Sequence, residues 1–288
     1  MKIFFRTILL LLPGLMLFAC TKNVVVKVPA PEQKLVVEGH IENDSFPVVI
    51  LTKNSAFYDT LKLSELANYF VHNAVVKVSD GVHTATLRET LVPYQGSFVF
   101  GYTTDSLRGQ LNTTYTLSVD GAGMQVSATT TIRDLDPLDS IWVKTGVDPK
   151  NDSLVELDCR YSDPAAPGDY VRYFTRQNHD AFWPGVYSVF EDKLINGTTF
   201  NFSLDRGVNY NDDHSFRHYG LFYKGDTITV KWCHIDYPHY NFWRTLEYER
   251  GSTGNPFSSP VQIQSNIVGG LGIWGGYATS YKTVVAPH

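Results

Sequence analysis

Between Thr114 and Thr129 the side chains alternate with a period of two, and this constrains the fold more than any other stretch. Tyr115, Leu117 and Val119 interleave with Thr114, Thr116 and Ser118; beyond Asp120-Gly121, Met124, Val126 and Ala128 interleave with Gln125, Ser127 and Thr129. A period of two is the pleat of a strand with one dry face and one wet face. Asp-Gly tolerates the positive φ of a tight connection, so the stretch predicts an antiparallel hairpin turning at Asp120-Gly121. Its dry face needs a second apolar layer, which limits the chain to architectures in which sheets are covered by sheets or helices.

The same signal recurs upstream in Leu35 to Gly39, in Val48 to Leu51, and in a hairpin with Asp80-Gly81 between Val76 to Ser79 and Val82 to Leu87. Leu61 to Tyr69 is the one helical insert expected before residue 130. Several short strands in about a hundred residues predict an immunoglobulin-like or transthyretin-like β-sandwich over residues 34–132. Arg133 to Pro137 interrupts the pattern and marks a boundary. Residues 138–288 then predict a second β-rich domain with strands at Ser140 to Lys144, Leu154 to Tyr161, Tyr170 to Arg176, Thr198 to Leu204 and Asp226 to Ile235. Its single helix is expected from Tyr237 to Arg250, with Asp236 as cap, Pro238 in the first turn and Gly251 after the end. Tyr240, Trp243 and Leu246 give that helix an apolar stripe. The tail from Asn255 to Val285 reads as a loop followed by paired strands bent at glycines.

The N-terminus carries a different signal. Lys2 and Arg6 precede an apolar run from Ile8 to Phe18 that ends in Ala19-Cys20. A run this short does not span the roughly 30 Å of a bilayer core, and it predicts a secretory leader over residues 1–19. The Ala19-Cys20 junction resembles a bacterial lipobox, so Cys20 is expected to be lipidated, with residues 20–33 as a Val- and Pro-rich tether. Acyl chains would then hold the protein at the membrane. The net charge of −5 becomes −7 when Lys2 and Arg6 leave with the leader. No basic cluster is present for phosphates to bind, so no nucleic-acid partner is expected. Cys159 and Cys233 fall on different strand faces, Cys159 with apolar neighbours and Cys233 with Thr229 and Lys231, which predicts two unpaired thiols.

Chemistry leaves few local marks. Asp212, Asp213, His214 and His218, in the polar run Asn209 to His218, are able to supply oxygen and imidazole ligands to a metal, with His234 and His239 as further candidates. The plainer reading of that run is a solvated loop, and no cofactor is expected. There is no Gly-x-Ser-x-Gly, no His-Glu-x-x-His, no Walker loop and no dinucleotide fingerprint, so the chain is expected to be non-enzymatic. A pair of carboxylates for glycoside cleavage would leave no local pattern, and it stands as a third reading after ligand binding and a structural or adhesive role. Aromatic residues crowd residues 170–223 and suit either a core or a sugar or peptide ligand. Phe182-Trp183-Pro184-Gly185 reads as an exposed loop.

Taken together, several segments resemble an uncharacterised lipoprotein family of Bacteroidota, the domain of unknown function forty-two forty-nine. They are Cys20, Leu35 to Gly39, Val75 to Gly81, Ile195-Asn196-Gly197-Thr198-Thr199-Phe200, Gly225 to Val230, Asn255-Pro256-Phe257 and Ser265-Asn266-Ile267 with Gly269 to Gly272. The resemblance implies an outer-membrane lipoprotein that assists a TonB-dependent receptor in nutrient uptake, and it supplies no catalytic residues. Thr21-Lys22-Asn23-Val24 follows the cysteine where surface lipoproteins of that phylum carry an acidic run, so both faces of the outer membrane stay open.

Overall fold

Strand β4 (Thr84–Tyr94) shows how the N-terminal layers are made. Its first residues pair with β3 (Val75–Ser79), and Arg88 to Tyr94 pair with β5 (Ser97–Thr103). In this computed structural model, which describes residues 32–54, 68–212, 216–255 and 257–288, eleven strands form a continuous hydrogen-bonded path. From β3 it continues through β6 (Thr113–Gly121) to β7 (Met124–Ile132), and from β5 through β2 (Val48–Lys53) to β1 (Leu35–Glu42). The two arms face each other. Leu35, Val37 and Ile41 of β1 and Val49 and Leu51 of β2 share one buried cluster with Val76, Val78, Leu87, Leu117, Val126 and Ile132. This is the N-terminal β-sandwich the alternation predicts, and Tyr115, Leu117, Val119, Val126 and Ala128 are all buried in it.

The long C-terminal strand β15 (Leu271–Val285) extends the path. It runs parallel to β1 and antiparallel to β14 (Thr227–Ile235), and β14 leads to β10 (Tyr170–Gln177) and the edge strand β11 (Trp183–Glu191). A four-stranded sheet lies separately: β9 (Leu154–Ser162) pairs with β8 (Ser140–Thr145), β12 (Thr199–Leu204) and β13 (Phe222–Tyr223). Val155, Leu157, Cys159 and Tyr161 of β9 pack with Val171, Tyr173, Ile228, Val230 and Trp232 in a second core. The opposite face of β10, β14 and β15 carries helix α1 (Tyr237–Ser252), with Cys233, Ile235, Tyr240 and Tyr277 buried together. The protein is therefore mostly β: a sandwich followed by a second β-rich layer system with one helix among the described residues.

Several local readings change. The second hairpin turns at Ala122-Gly123, which hold φ of 53° and 75°, and Gly121 pairs with Met124. Asp80-Gly81 opens a longer loop, closed by Ser79 opposite Thr84, in which the Asp80 carboxylate accepts from the Val82 and His83 N–H groups. The tail forms one strand where paired strands were expected. Gly275 and Gly276 stay inside its ladder with β1, and close packing requires them: a Cβ on Gly275 would stand 2.3 Å from the His239 ring and one on Gly276 2.9 Å from the Thr131 backbone. The wet face expected around Cys233 is covered by α1. Asp236 caps that helix by accepting from the His239 N–H at 3.0 Å, but the helix continues through Gly251 to Ser252. Cys159 and Cys233 are both buried and free, and burial pushes each thiol up to about 12. Cys20 lies outside the described residues, as does most of the Leu61 to Tyr69 insert. Among the described residues no helix is long and apolar enough to cross a membrane.

Candidate ligand-binding cleft

The tip of the β4–β5 hairpin reaches over the start of β11, and the space beside it is a cleft of about 610 Å³. That volume falls within the range of small-molecule sites. The tip is a two-residue connection. Gln95 and Gly96 hold φ of 48° and 75°, and Tyr94 pairs with Ser97. Behind the tip, the Tyr94 hydroxyl donates to Glu38 Oε2 at 2.9 Å and accepts from Gln95 Nε2 at 3.1 Å. Desolvation raises the Glu38 carboxyl above its ordinary range, against the pull of the Tyr94 bond and of Arg172 and Arg250. This bond between β1 and the end of β4 fixes where the tip sits.

The floor comes from Thr175 and Gln177 at the end of β10 and from the connection through His179, Asp180 and Ala181 to Trp183. Asp226 braces that connection, accepting from Gln177 Nε2 at 2.6 Å and from Asn178 Nδ2 at 2.9 Å. The far wall holds Arg206, Gly207, Asn209 and Asp212. It is stitched to the floor by the Gly207 N–H donating to Thr175 Oγ1 at 2.6 Å and the Val208 N–H donating to the Pro184 carbonyl at 2.9 Å. A Cβ at position 207 would stand 2.0 Å from the Trp183 carbonyl oxygen, so only glycine permits this approach. The Arg206 guanidinium donates to the Arg217 carbonyl at 2.8 Å, which ties the 205–221 segment to itself.

The lining offers an indole edge beside guanidinium, imidazole, carboxylate and amide groups. Such a set donates and accepts hydrogen bonds in several directions while one aromatic surface covers an apolar patch, which matches a hydroxyl- or amide-rich ligand. A neighbouring cleft of about 570 Å³ shares His179 and adds Arg176, Asn178, Thr227, Thr229 and Thr283. Arg176 lies over the Phe182 ring at 4.6 Å, and Phe182 in turn meets Tyr281 at 5.8 Å.

A charged layer lies buried beside the helix. Arg172 is 3% exposed, lies 3.4 Å over the Trp243 ring and donates to Ser188 Oγ at 3.1 Å and Tyr277 Oη at 2.7 Å. Glu247 accepts from the Ser188 N–H at 2.8 Å, and burial raises its carboxyl. Lys231 pairs with Glu42 close by. Buried charges held in this way are costly to break singly; Arg172 and Glu247 tie α1 to β10 and β11, and the Lys231–Glu42 pair joins β14 to β1.

The residues singled out in the sequence distribute as follows. Asp212 lines the cleft, His218 is exposed and faces the Tyr223 ring edge-on at 6.3 Å, and Asp213 and His214 lie outside the described residues. His234 and His239 are each 1% exposed and engaged elsewhere: His234 Nδ1 is 3.0 Å from the Asp134 carbonyl and His239 Nδ1 is 3.3 Å from that of Gly276. Trp183 and Pro184 open an edge strand where an exposed loop was expected, which an edge position allows because proline has no ladder donor to lose. Trp183 is half-buried, and it reaches the cleft. Gln95, Thr175, Gln177, Asp180 and Arg206 carried no sequence signal, since three separate stretches meet only in the fold.

A search of curated proteins gives no match. A family model spans residues 21–283, nearly the whole chain after its first segment, and the chain belongs to that family, described as Domain of unknown function (DUF4249).

Proposed function

We propose that this protein is a lipid-anchored lipoprotein of the outer membrane that captures a polar ligand, a saccharide or short peptide, and assists a TonB-dependent receptor in taking it up without chemically altering it. The observation that carries the reading is the cleft, in which Trp183 stands among Gln95, Gln177, His179, Asp180 and Arg206. The leader with Cys20 at its end supports attachment by acyl chains. Asp180 and Asp212 both line the same cleft, which favours a carboxylate-based hydrolase over a structural or adhesive role as the alternative reading.

Three measurements on cells test the proposal together. Fatty-acid labelling is expected to mark the wild-type protein and not Cys20→Ser. Deleting the gene is expected to slow uptake of a subset of glycan or peptide nutrients, with a receptor barrel co-purifying with the tagged protein. An unlabelled wild type, or unchanged uptake together with no co-purifying receptor, contradicts the reading. Product release from a glycan that stops in Asp180→Asn favours the hydrolase.

A further inference from the structure

Two connections meet at the edge where the four-stranded sheet passes into the long one. Asp163 and Asp169 bound the link from β9 to β10, and Asp192 opens the link from β11 to β12. One carboxylate oxygen from each of the three lies within 4.8 Å of the others. Their residues are only 8%, 7% and 6% exposed. The links hold each other reciprocally: the Gly168 N–H donates to Asp192 Oδ2 at 2.8 Å and the Gly197 N–H to Asp163 Oδ2 at 2.9 Å. Both glycines hold positive φ, 102° and 69°, so the backbone is shaped to bring the carboxylates together.

The local positive charge falls short. Arg133 reaches Asp169 Oδ1 at 3.7 Å with its own side chain 42% exposed, and His234 Nε2 lies 3.2 Å from the same oxygen. At best these two offset two of three carboxylates. Asp136, also buried and bonded to Tyr161, adds a fourth acid nearby. Two atoms are left orphaned, and each belongs to a side chain more than nine-tenths buried. Among the described residues no donor reaches Asp169 Oδ2, and His234 Nε2, aimed at Asp169, has no aligned hydrogen-bond partner. Buried carboxylates are ordinarily paired, hydrogen-bonded or bound to a metal. A cluster of oxygen donors without thiolates suits a hard divalent cation, and calcium accepts such carboxylates in flexible geometry with backbone carbonyls or water completing its shell.

We propose that Asp163, Asp169 and Asp192 form a calcium-type divalent cation site that clamps the β9–β10 link to the β11–β12 link. The site is separate from the cleft, and it does not depend on the identity of the cleft's ligand.

The test uses the purified chain after treatment with a chelator, titrated with calcium chloride alone, and in parallel with magnesium and zinc chlorides. Calorimetry is expected to give one calcium per chain, and thermal unfolding to shift upward by several degrees at millimolar calcium, with zinc ineffective. Asp169→Asn and Asp192→Asn are each expected to weaken calcium binding at least tenfold. The two readings diverge at millimolar calcium: a bare acidic cluster predicts that Asp169→Asn, by relieving repulsion, melts above the wild type there as it does in chelator, whereas a calcium site predicts that calcium raises the wild-type melting temperature by several degrees and that of Asp169→Asn far less. Wild-type protein that shows neither a stoichiometric heat nor a melting shift at millimolar calcium or magnesium overturns the proposal, whatever the variants do. Should one variant fail to fold, the wild-type titration and the other variant still decide.

Discussion

His239 shows what burial does to a single side chain here. It is 1% exposed, faces the Tyr277 ring at 4.5 Å, and occupies space that a Cβ on Gly275 would need. Desolvation, aided by Arg172, holds its pKa well below the ordinary 6.5, and His40 is shifted in the same direction by the same main cause. The sign follows from which state takes the proton. Below about pH 6.5 the unfolded chain binds protons that the folded chain refuses, so these groups contribute stability at neutral pH that is lost as pH falls through 6.5. For His239 the loss approaches about 1.4 kcal/mol per pH unit. Replacing His239 by Gln removes one of them. Urea denaturation at pH 7.5 and 5.5 is expected to show the variant less stable at the higher pH but declining less toward the lower, by about 1.4 kcal/mol. An identical decline in both proteins would show that His239 does not resist protonation in the fold. The sequence marked His239 as a metal candidate because imidazole beside a helix start carries no local sign of whether it faces solvent or a core; only the packing of α1 on β15 decides that.

At the scale of elements, strands followed from alternation, and turns did so less well. Tyr115, Leu117 and Val119 are buried as their spacing requires, yet the connection sits two residues beyond the Asp-Gly pair. Gly121 is occupied otherwise: a Cβ there would come within 2.7 Å of the Ala74 Cβ. A glycine demanded by packing looks, in sequence, like one demanded by a turn. An even displacement leaves every side chain on its expected face, which is why the core was legible although the turn was not. Ala122 instead carries a φ of 53°, a conformation that costs an alanine roughly 1–2 kcal/mol and that asparagine tolerates better. Ala122→Asn is therefore expected to raise stability by about 0.5–1 kcal/mol without altering the fold. A lower denaturation midpoint in the variant would contradict the turn assignment. Helix α1 was legible from Asp236 and Pro238, and its end was not, because Gly251 remains inside the last turn with Thr253 as the cap.

For the molecule as a whole, β15 is the strand whose place the sequence concealed. Gly275 and Gly276 read as bends, yet one unbroken strand runs from Leu271 to Val285, pairing with β1 over Leu271 to Tyr277 and with β14 over Ala278 to Val285. Trp274 of this strand is fully buried among the residues of β1, β2, β6 and β7, and its indole N–H donates to the Tyr115 carbonyl at 3.0 Å. Residues Gln33–His288 form one compact unit. A chain ending at Gly270 loses the parallel partner of β1 and the antiparallel partner of β14 together, and it is expected to give no cooperative urea transition and no near-ultraviolet circular dichroism. A cooperative transition from the truncated chain would show that β15 is dispensable. The cleft depends on the same long-range assembly, since its lining comes from residues 95–96, 175–183 and 206–212. Of these, only Trp183 and Asp212 had been singled out in the sequence.

We propose above all that this cleft binds a polar ligand without transforming it. The most direct test is titration of purified residues 21–288 with pools of neutral and acidic oligosaccharides and of short peptides, followed by heat and by product analysis. A binding cleft is expected to give saturable binding in one pool, weakened at least tenfold in Trp183→Ala and in Arg206→Ala while their circular dichroism matches the wild type, with no product formed. Binding that both substitutions leave unchanged, or a product whose formation Asp180→Asn abolishes, would contradict the proposal.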